Sequence, residues 1–126
     1  MSKIGASFLG LALAASLLTP IAGCGSSSAG SCAQSSGGAV VSCSDYGEGY
    51  TTAQVMTSCS GAGSTYSSSA CPSENRVARC AITVSAAGVT ATTTVSYYPP
   101  LTVANVMQSC SQASIGGGVT ATFTAN

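Results

Sequence analysis

The chain has 126 residues and almost no charge: three Lys or Arg against three Asp or Glu, with no His and no Trp. Nucleic-acid binding needs clustered Lys and Arg to displace counterions from phosphates, and so thin a supply excludes it. The missing His removes every Ser-His and Cys-His nucleophile pair, and the sole lysine, Lys3, is lost for a Ser-Lys dyad once an N-terminal leader is cut away.

The first residues read as an export signal. Met1-Ser2-Lys3 gives a positive start, and Ile4 to Leu18 is an uncharged run rich in Ala and Leu. Its length suits a signal-peptide core of about 7–15 residues and falls short of the ~20 apolar residues that span a bilayer. Thr19-Pro20 breaks the run, because proline lacks an amide donor and clashes with the preceding turn. Ile21-Ala22-Gly23-Cys24 follows. This order of charge, apolar run, break, aliphatic residue, two small residues and cysteine resembles the lipobox of bacterial lipoproteins. The resemblance implies that residues 1–23 are a removed signal peptide, that the Cys24 sulfur carries a diacylglycerol thioether, and that the new amino group is often acylated as well. The competing reading is an ordinary secretory signal with a cysteine nearby by chance. One acyl chain binds a membrane marginally, whereas two or three hold at ~0.8 kcal/mol per buried CH₂. The implied partner is thus the lipid bilayer, reached through acylated Cys24, and the implied location is the bacterial cell envelope. In enteric-type bacteria an Asp after the cysteine favours the inner membrane. Gly25 stands there and leans the expectation towards the outer membrane if the host is Gram-negative.

Gly25 to Gly38 is rich in Ser and Gly, the composition of a flexible tether, although Cys32 in its middle argues that the second half is pinned. The expected division is a signal peptide at 1–23, the lipidated cysteine and tether at 24–37, and one Cys-rich domain at 38–126.

An internal repeat follows, covering about 32–66 and 80–123. Thr51-Thr52-Ala53-Gln54-Val55-Met56-Thr57-Ser58-Cys59-Ser60 aligns without gaps on Thr102-Val103-Ala104-Asn105-Val106-Met107-Gln108-Ser109-Cys110-Ser111, and Tyr46 then faces Tyr97. Cys32-Ala33 corresponds to Cys80-Ala81, and Ser64-Thr65-Tyr66 resembles the segment from Val119 to Phe123. Val55, Met56 and Cys59, like Val103, Val106, Met107 and Cys110, recur at helical spacing. Thr51 with Gln54 fits a capping box. Cys80, Ile82 and Val84 alternate as in a half-buried strand, and so do Val89, Ala91, Thr93, Val95 and Tyr97 beyond a turn at Ser85 to Gly88. Helices this short need a sheet to pack on. The expected class is α+β: a small disulfide-stapled domain with a mainly antiparallel sheet and two short helices, arising from an internal duplication. Ser42-Cys43-Ser44-Asp45-Tyr46, Ser58-Cys59, Gly63-Ser64-Thr65-Tyr66, Cys71-Pro72 through Cys80, and Tyr97-Tyr98 also resemble small uncharacterised Cys-rich bacterial lipoproteins, a resemblance that implies no activity.

Cys24 apart, six cysteines remain: Cys32, Cys43, Cys59, Cys71, Cys80 and Cys110. An even number in a small exported domain with few large apolar residues reads as a disulfide framework. A zinc site fits less well, since there is no His and no CxxC pair, and neither metal nor other cofactor is expected. If pairing respects the repeat, Cys32, Cys59, Cys80 and Cys110 have three arrangements open: within copies, like with like, or crossed. All three leave Cys43 with Cys71, although a turn at Pro72 to Asn75 offers Cys71–Cys80 instead.

Asp45 and Glu48 are the one carboxylate pair close in sequence. They would suit glycoside hydrolysis only if they stood ~5–9 Å apart across a cleft. As two solvated acids at a strand end they do nothing catalytic. Tyr46 and Tyr97 read as equivalent core positions, which leaves Tyr50 and Tyr98 as candidates for an exposed aromatic binding surface. The leading functional expectation is a non-enzymatic, membrane-anchored envelope lipoprotein acting as a structural or interaction module. The alternative is a module that binds an envelope glycan or protein through its tyrosines, and the distant alternative is a hydrolase using Asp45 and Glu48.

Overall fold

The computed structural model describes residues 28–114 and 116–126. The expected signal peptide and Cys24 lie outside the described residues. The elements run β1 (Gly30–Ser36), β2 (Ala39–Tyr46), α1 (Thr52–Ser58), β3 (Ser64–Ser67), β4 (Ala78–Ala86), β5 (Val89–Tyr97), α2 (Val103–Ala113) and β6 (Val119–Ala125). All six strands form one antiparallel sheet in the order β3-β1-β2-β5-β4-β6. The class is α+β, a mainly antiparallel sheet with two short helices and three disulfides, as the sequence predicts.

Each hairpin follows from its turn residues. Gly37 and Gly38, at φ 61° and 84°, join β1 to β2, and Ala87 and Gly88, at φ 50° and 78°, join β4 to β5. Two successive positive φ values match the right-handed twist of the flanking strands and favour glycine. Helix α1 begins at Thr51, whose side chain accepts from the Gln54 amide while the Gln54 side chain accepts from the Thr51 amide. Thr102 and Asn105 repeat this reciprocal cap on α2.

The two halves share one plan. In each, the first strand lies between the second and the third, with the helix connecting those two. Cys32 of β1 faces Ser44 and Tyr66, and Cys80 of β4 faces Val95 and Phe123. The halves meet through β2 and β5, where Ser44 faces Val95. One row therefore crosses the whole sheet: Tyr66, Cys32, Ser44, Val95, Cys80, Phe123. Residues directly opposite in antiparallel strands point to the same side. Cys32 bonds to Cys59 at the end of α1 and Cys80 to Cys110 of α2, so both helices are stapled to that one face. Val55 and Val106, each 1 % exposed, point inward from them.

The neighbouring row, Ala33, Cys43, Ser96 and Arg79, points to the other face. The connection from β3 to β4 crosses that face and is tied down by Cys43–Cys71. Beyond it the face is lined with hydroxyls, Thr83 lying 3.4 Å from Thr92 and Ser85 3.3 Å from Thr90. Such a surface is hydrated without charge.

All six paired cysteines are buried, so cystine supplies much of the core that large apolar side chains supply elsewhere. The pairing is within copies for the repeated cysteines, and Cys43 joins Cys71.

The expected tether boundary moves. Residues 30–36 form the central strand of the first half, bonded on both edges, although they lie in the Ser/Gly-rich stretch assigned to the tether at 24–37. Backbone ladders do not depend on side-chain size, and Gly30 has a specific use. Its φ is 114°, and a Cβ there would stand 2.5 Å from the Tyr66 ring.

Candidate functional site

Tyr46 ends β2 on the helix-bearing face, and the loop Gly47–Gly49 returns Tyr50 towards it. The two rings meet edge to face, centroids 5.0 Å apart and planes at 80°. The Tyr50 hydroxyl accepts a hydrogen bond from Thr93 Oγ1 at 3.2 Å. Both rings are half-buried, leaving an amphipathic aromatic edge beside the strand end. The loop is fixed by main-chain bonds, Gly47 N–H to Thr92 O at 2.9 Å and Thr92 N–H to Glu48 O at 3.1 Å.

Tyr98 was expected at the surface beside Tyr50, and it is buried, at 6 % exposure. The reason is that β5 ends at Tyr97. The Tyr98 amide donates to Val41 O, and its ring packs on Cys43 and Cys71. Its hydroxyl donates to Pro72 O at 2.6 Å. Burial raises the Tyr98 phenol above its ordinary range, and burial does the same to Tyr97. Tyr46 and Tyr97 hold equivalent places, facing Gly30 and Ala78, and both are half-buried rather than fully in the core. Tyr50 and Tyr98 thus lie apart, one in an aromatic edge and the other beneath the β3–β4 connection.

The two carboxylates also separate by role. Asp45 projects to the face opposite the helices, where its Oδ1 accepts from the Cys71 amide at 2.8 Å. It clamps the connecting segment next to the Cys43–Cys71 bond. Glu48 stands exposed in the loop beyond the strand. Neither lines the shallow cleft of about 420 Å³ bounded by Val40, Pro72, Glu74, Asn75, Tyr98 and Pro99. That cleft was not foreseen: its residues come from three segments, and the Pro72–Arg76 stretch reads in sequence only as a polar turn.

Among the described residues, no group of His, Cys, Asp or Glu is placed to hold a metal ion. None of the described helices is long and apolar enough to cross a membrane. Comparison with protein-family models, with curated proteins and with solved structures finds no match to this chain. Function is therefore read from the residues and their geometry alone.

Proposed function

We propose that the protein is a non-enzymatic bacterial envelope lipoprotein, anchored through acylated Cys24 and serving as a small structural or interaction module. The observation that carries the reading is cysteine pairing. Of seven cysteines, six pair with one another as Cys32–Cys59, Cys43–Cys71 and Cys80–Cys110, so none of the six is left to oxidise with Cys24. The odd cysteine is the one at the end of Ile21-Ala22-Gly23-Cys24, where a thioether needs a free thiol. Disulfides also suit an oxidising compartment outside the cytoplasm. Absence of catalysis is supported by the missing His and by the use of Asp45 as a backbone clamp. The internal repeat reads as a duplication of one strand–strand–helix–strand unit.

The test is intact mass of the protein extracted from membranes. A chain beginning at Cys24 with diacylglycerol added is expected, and an unmodified N-terminus elsewhere defeats the reading. A second reading, binding of an envelope glycan or protein, is favoured by the Tyr46–Tyr50 pair, because an aromatic edge with a hydroxyl nearby suits sugar faces and extended chains. Its test is binding of envelope glycan fragments by the wild-type protein and by a Tyr50→Ala variant.

A further inference from the structure

We infer that the β4–β5 hairpin tip touches the bilayer that holds the anchor, seating the domain on the membrane with its strands pointing away from it. The inference rests on the acylation of Cys24 proposed above and adds an orientation to it.

The first ground is reach. The first described residue is Ser28, beside Tyr46, where the Ala29 amide donates to Tyr46 O at 2.8 Å. Four residue steps separate Cys24 from Ser28, a span of at most ~14 Å even when fully extended. A domain on so short a lead cannot stand clear of the headgroups.

The second ground is where that lead enters. Gly30 and Tyr46 align across the sheet with Thr93 and Ile82. From that row the β4–β5 ladder continues four more residues to the Ala86–Val89 pair. At ~3.4 Å per residue the hairpin projects ~14 Å past the anchor row, and it stands two to three strands, ~10–14 Å, to the side. Ser28 lies up to two residues beyond that row, so the tip projects ~7 Å past the point where the lead begins, within the ~14 Å reach of the lead. When the domain is upright, the tip meets the headgroups while the lead is only partly extended.

The third ground is surface chemistry. Val89 is 63 % exposed and Val84 38 %, and Ala86, Ala87 and Gly88 are exposed around them. No charged residue occurs from Cys80 to Asn126, so dipping this tip into the interface desolvates no charge. The Tyr46–Tyr50 pair lies at the same end, and tyrosine suits the boundary between headgroups and acyl chains. Glu48 is the one charged residue in a loop there. At the far end, Arg76 bonds Asn126 at 3.1 Å, and Glu74 lines the cleft with Tyr98 and Pro99. The orientation therefore turns the charged turn and the cleft away from the lipid.

The chain has no Trp, so a single introduced Trp is a clean reporter. The mature lipidated protein is reconstituted in phosphatidylcholine–phosphatidylglycerol vesicles, with and without acyl-brominated lipid. Variants are Val89→Trp and Ala86→Trp at the tip, Ser36→Trp in the opposite hairpin and Met107→Trp on the exposed side of α2. The expected result is loss of most fluorescence to the brominated lipid, with a blue-shifted emission, for the two tip variants and for neither of the others. Quenching of Met107→Trp with none at the tip overturns the inference and lays the helix face on the bilayer. No quenching in any variant also overturns it. Intact mass on the same samples separates the two failures: an acylated Cys24 with an unquenched tip defeats only the orientation, whereas an unacylated Cys24 defeats the anchor on which it rests.

Discussion

Ser44 faces Val95 at the centre of the sheet, and each is the other's counterpart in the two halves. Ser44 lies opposite Cys32 on its other side, and Val95 lies opposite Cys80. The pairs to either side obey the same exchange: Ser42 faces Tyr97 and Tyr46 faces Thr93, Cys43 faces Ser96 and Asp45 faces Thr94. The ladder maps onto itself when the halves are swapped, so the Ser44–Val95 pair marks an approximate twofold axis. The halves differ at that axis in one side chain, a hydroxymethyl against an isopropyl group.

Ser44→Val should therefore stabilise the protein. Both positions are half-buried on the helix-bearing face. A β-branched pair there replaces a mixed one, an exchange in the range of ~0.2–1 kcal/mol for cross-strand neighbours. Unfolding in guanidinium should shift to a higher midpoint with an unchanged slope. A lower midpoint would show that Ser44 has a polar role that the pairing does not explain.

The three disulfides close nearly equal loops, with sequence separations of 27, 28 and 30. Chain entropy assigns each ~3–4 kcal/mol, so loop length does not rank them. What they hold does. Helix α1 has seven residues and buries Val55, with Cys59 buried at its cap, whereas α2 has eleven and buries Val106 and Cys110. Replacing Cys32 and Cys59 together by Ala should cost ~3–4 kcal/mol and also strip exchange protection from α1 while the sheet stays protected. Replacing Cys80 and Cys110 should cost about as much and leave α2 partly protected. Equal protection of α1 and the sheet in the first variant would refute the staple account.

Legibility in the sequence followed the strength of local signals. The capping box at Thr51 and Gln54, the alternation from Cys80 to Tyr97 and the repeated Val-Met-x-Ser-Cys-Ser segment each specify their element locally. Cys43–Cys71 was reachable by symmetry because those two cysteines lack counterparts. Strand β1 was marked only by the match of Cys32-Ala33 to Cys80-Ala81, because Gly-Ser-Cys-Ala-Gln-Ser-Ser carries no alternation of apolar residues. Its place in the sheet comes from partners on both sides. Tyr98 was misplaced because its burial depends on a segment 26 residues earlier, whose Pro72 carbonyl it meets. The choice among pairings for Cys32, Cys59, Cys80 and Cys110 needed the helix positions, which periodicity does not supply.

Tyr98 links core packing to pH. Burial holds its phenol above the ordinary value of 10.0. A raised folded-state value means that the folded protein binds the phenolic proton more tightly than the unfolded chain. Its contribution is fully present below about pH 10 and is lost as pH rises through the folded-state value, because a phenolate cannot donate to Pro72 O. Tyr98→Phe should cost about 1 kcal/mol at neutral pH through the lost hydrogen bond. It should also flatten the alkaline fall in stability, leaving the part due to Tyr97, which burial shifts the same way. An alkaline profile unchanged by the substitution would contradict this role.

Two buried serines on the face opposite the helices should respond in opposite ways. Ser31 faces Asp45, and the equivalent pair in the second half is Arg79 facing Ser96. In the first half both side chains bond the β3–β4 connection: Ser31 Oγ donates to Ser69 O at 2.7 Å, and Asp45 Oδ1 accepts from the Cys71 amide. In the second half Ser96 Oγ and Arg79 Nε are buried with no hydrogen-bond partner, because the connection passes over the other half. Ser96, 0 % exposed, thus bears the cost of desolvating a hydroxyl without the return of a bond. Ser31→Ala should destabilise by about 1 kcal/mol, the net worth of an ordinary hydrogen bond. Ser96→Ala removes only the unpaired hydroxyl, so stability should stay level or rise by up to about 1 kcal/mol. Denaturant midpoints of the two variants decide the matter. A clear loss from Ser96→Ala would mean that its hydroxyl has a partner in solution, with the Tyr98 hydroxyl, its neighbour on the same face, the first group to probe by a Tyr98→Phe, Ser96→Ala double-mutant cycle.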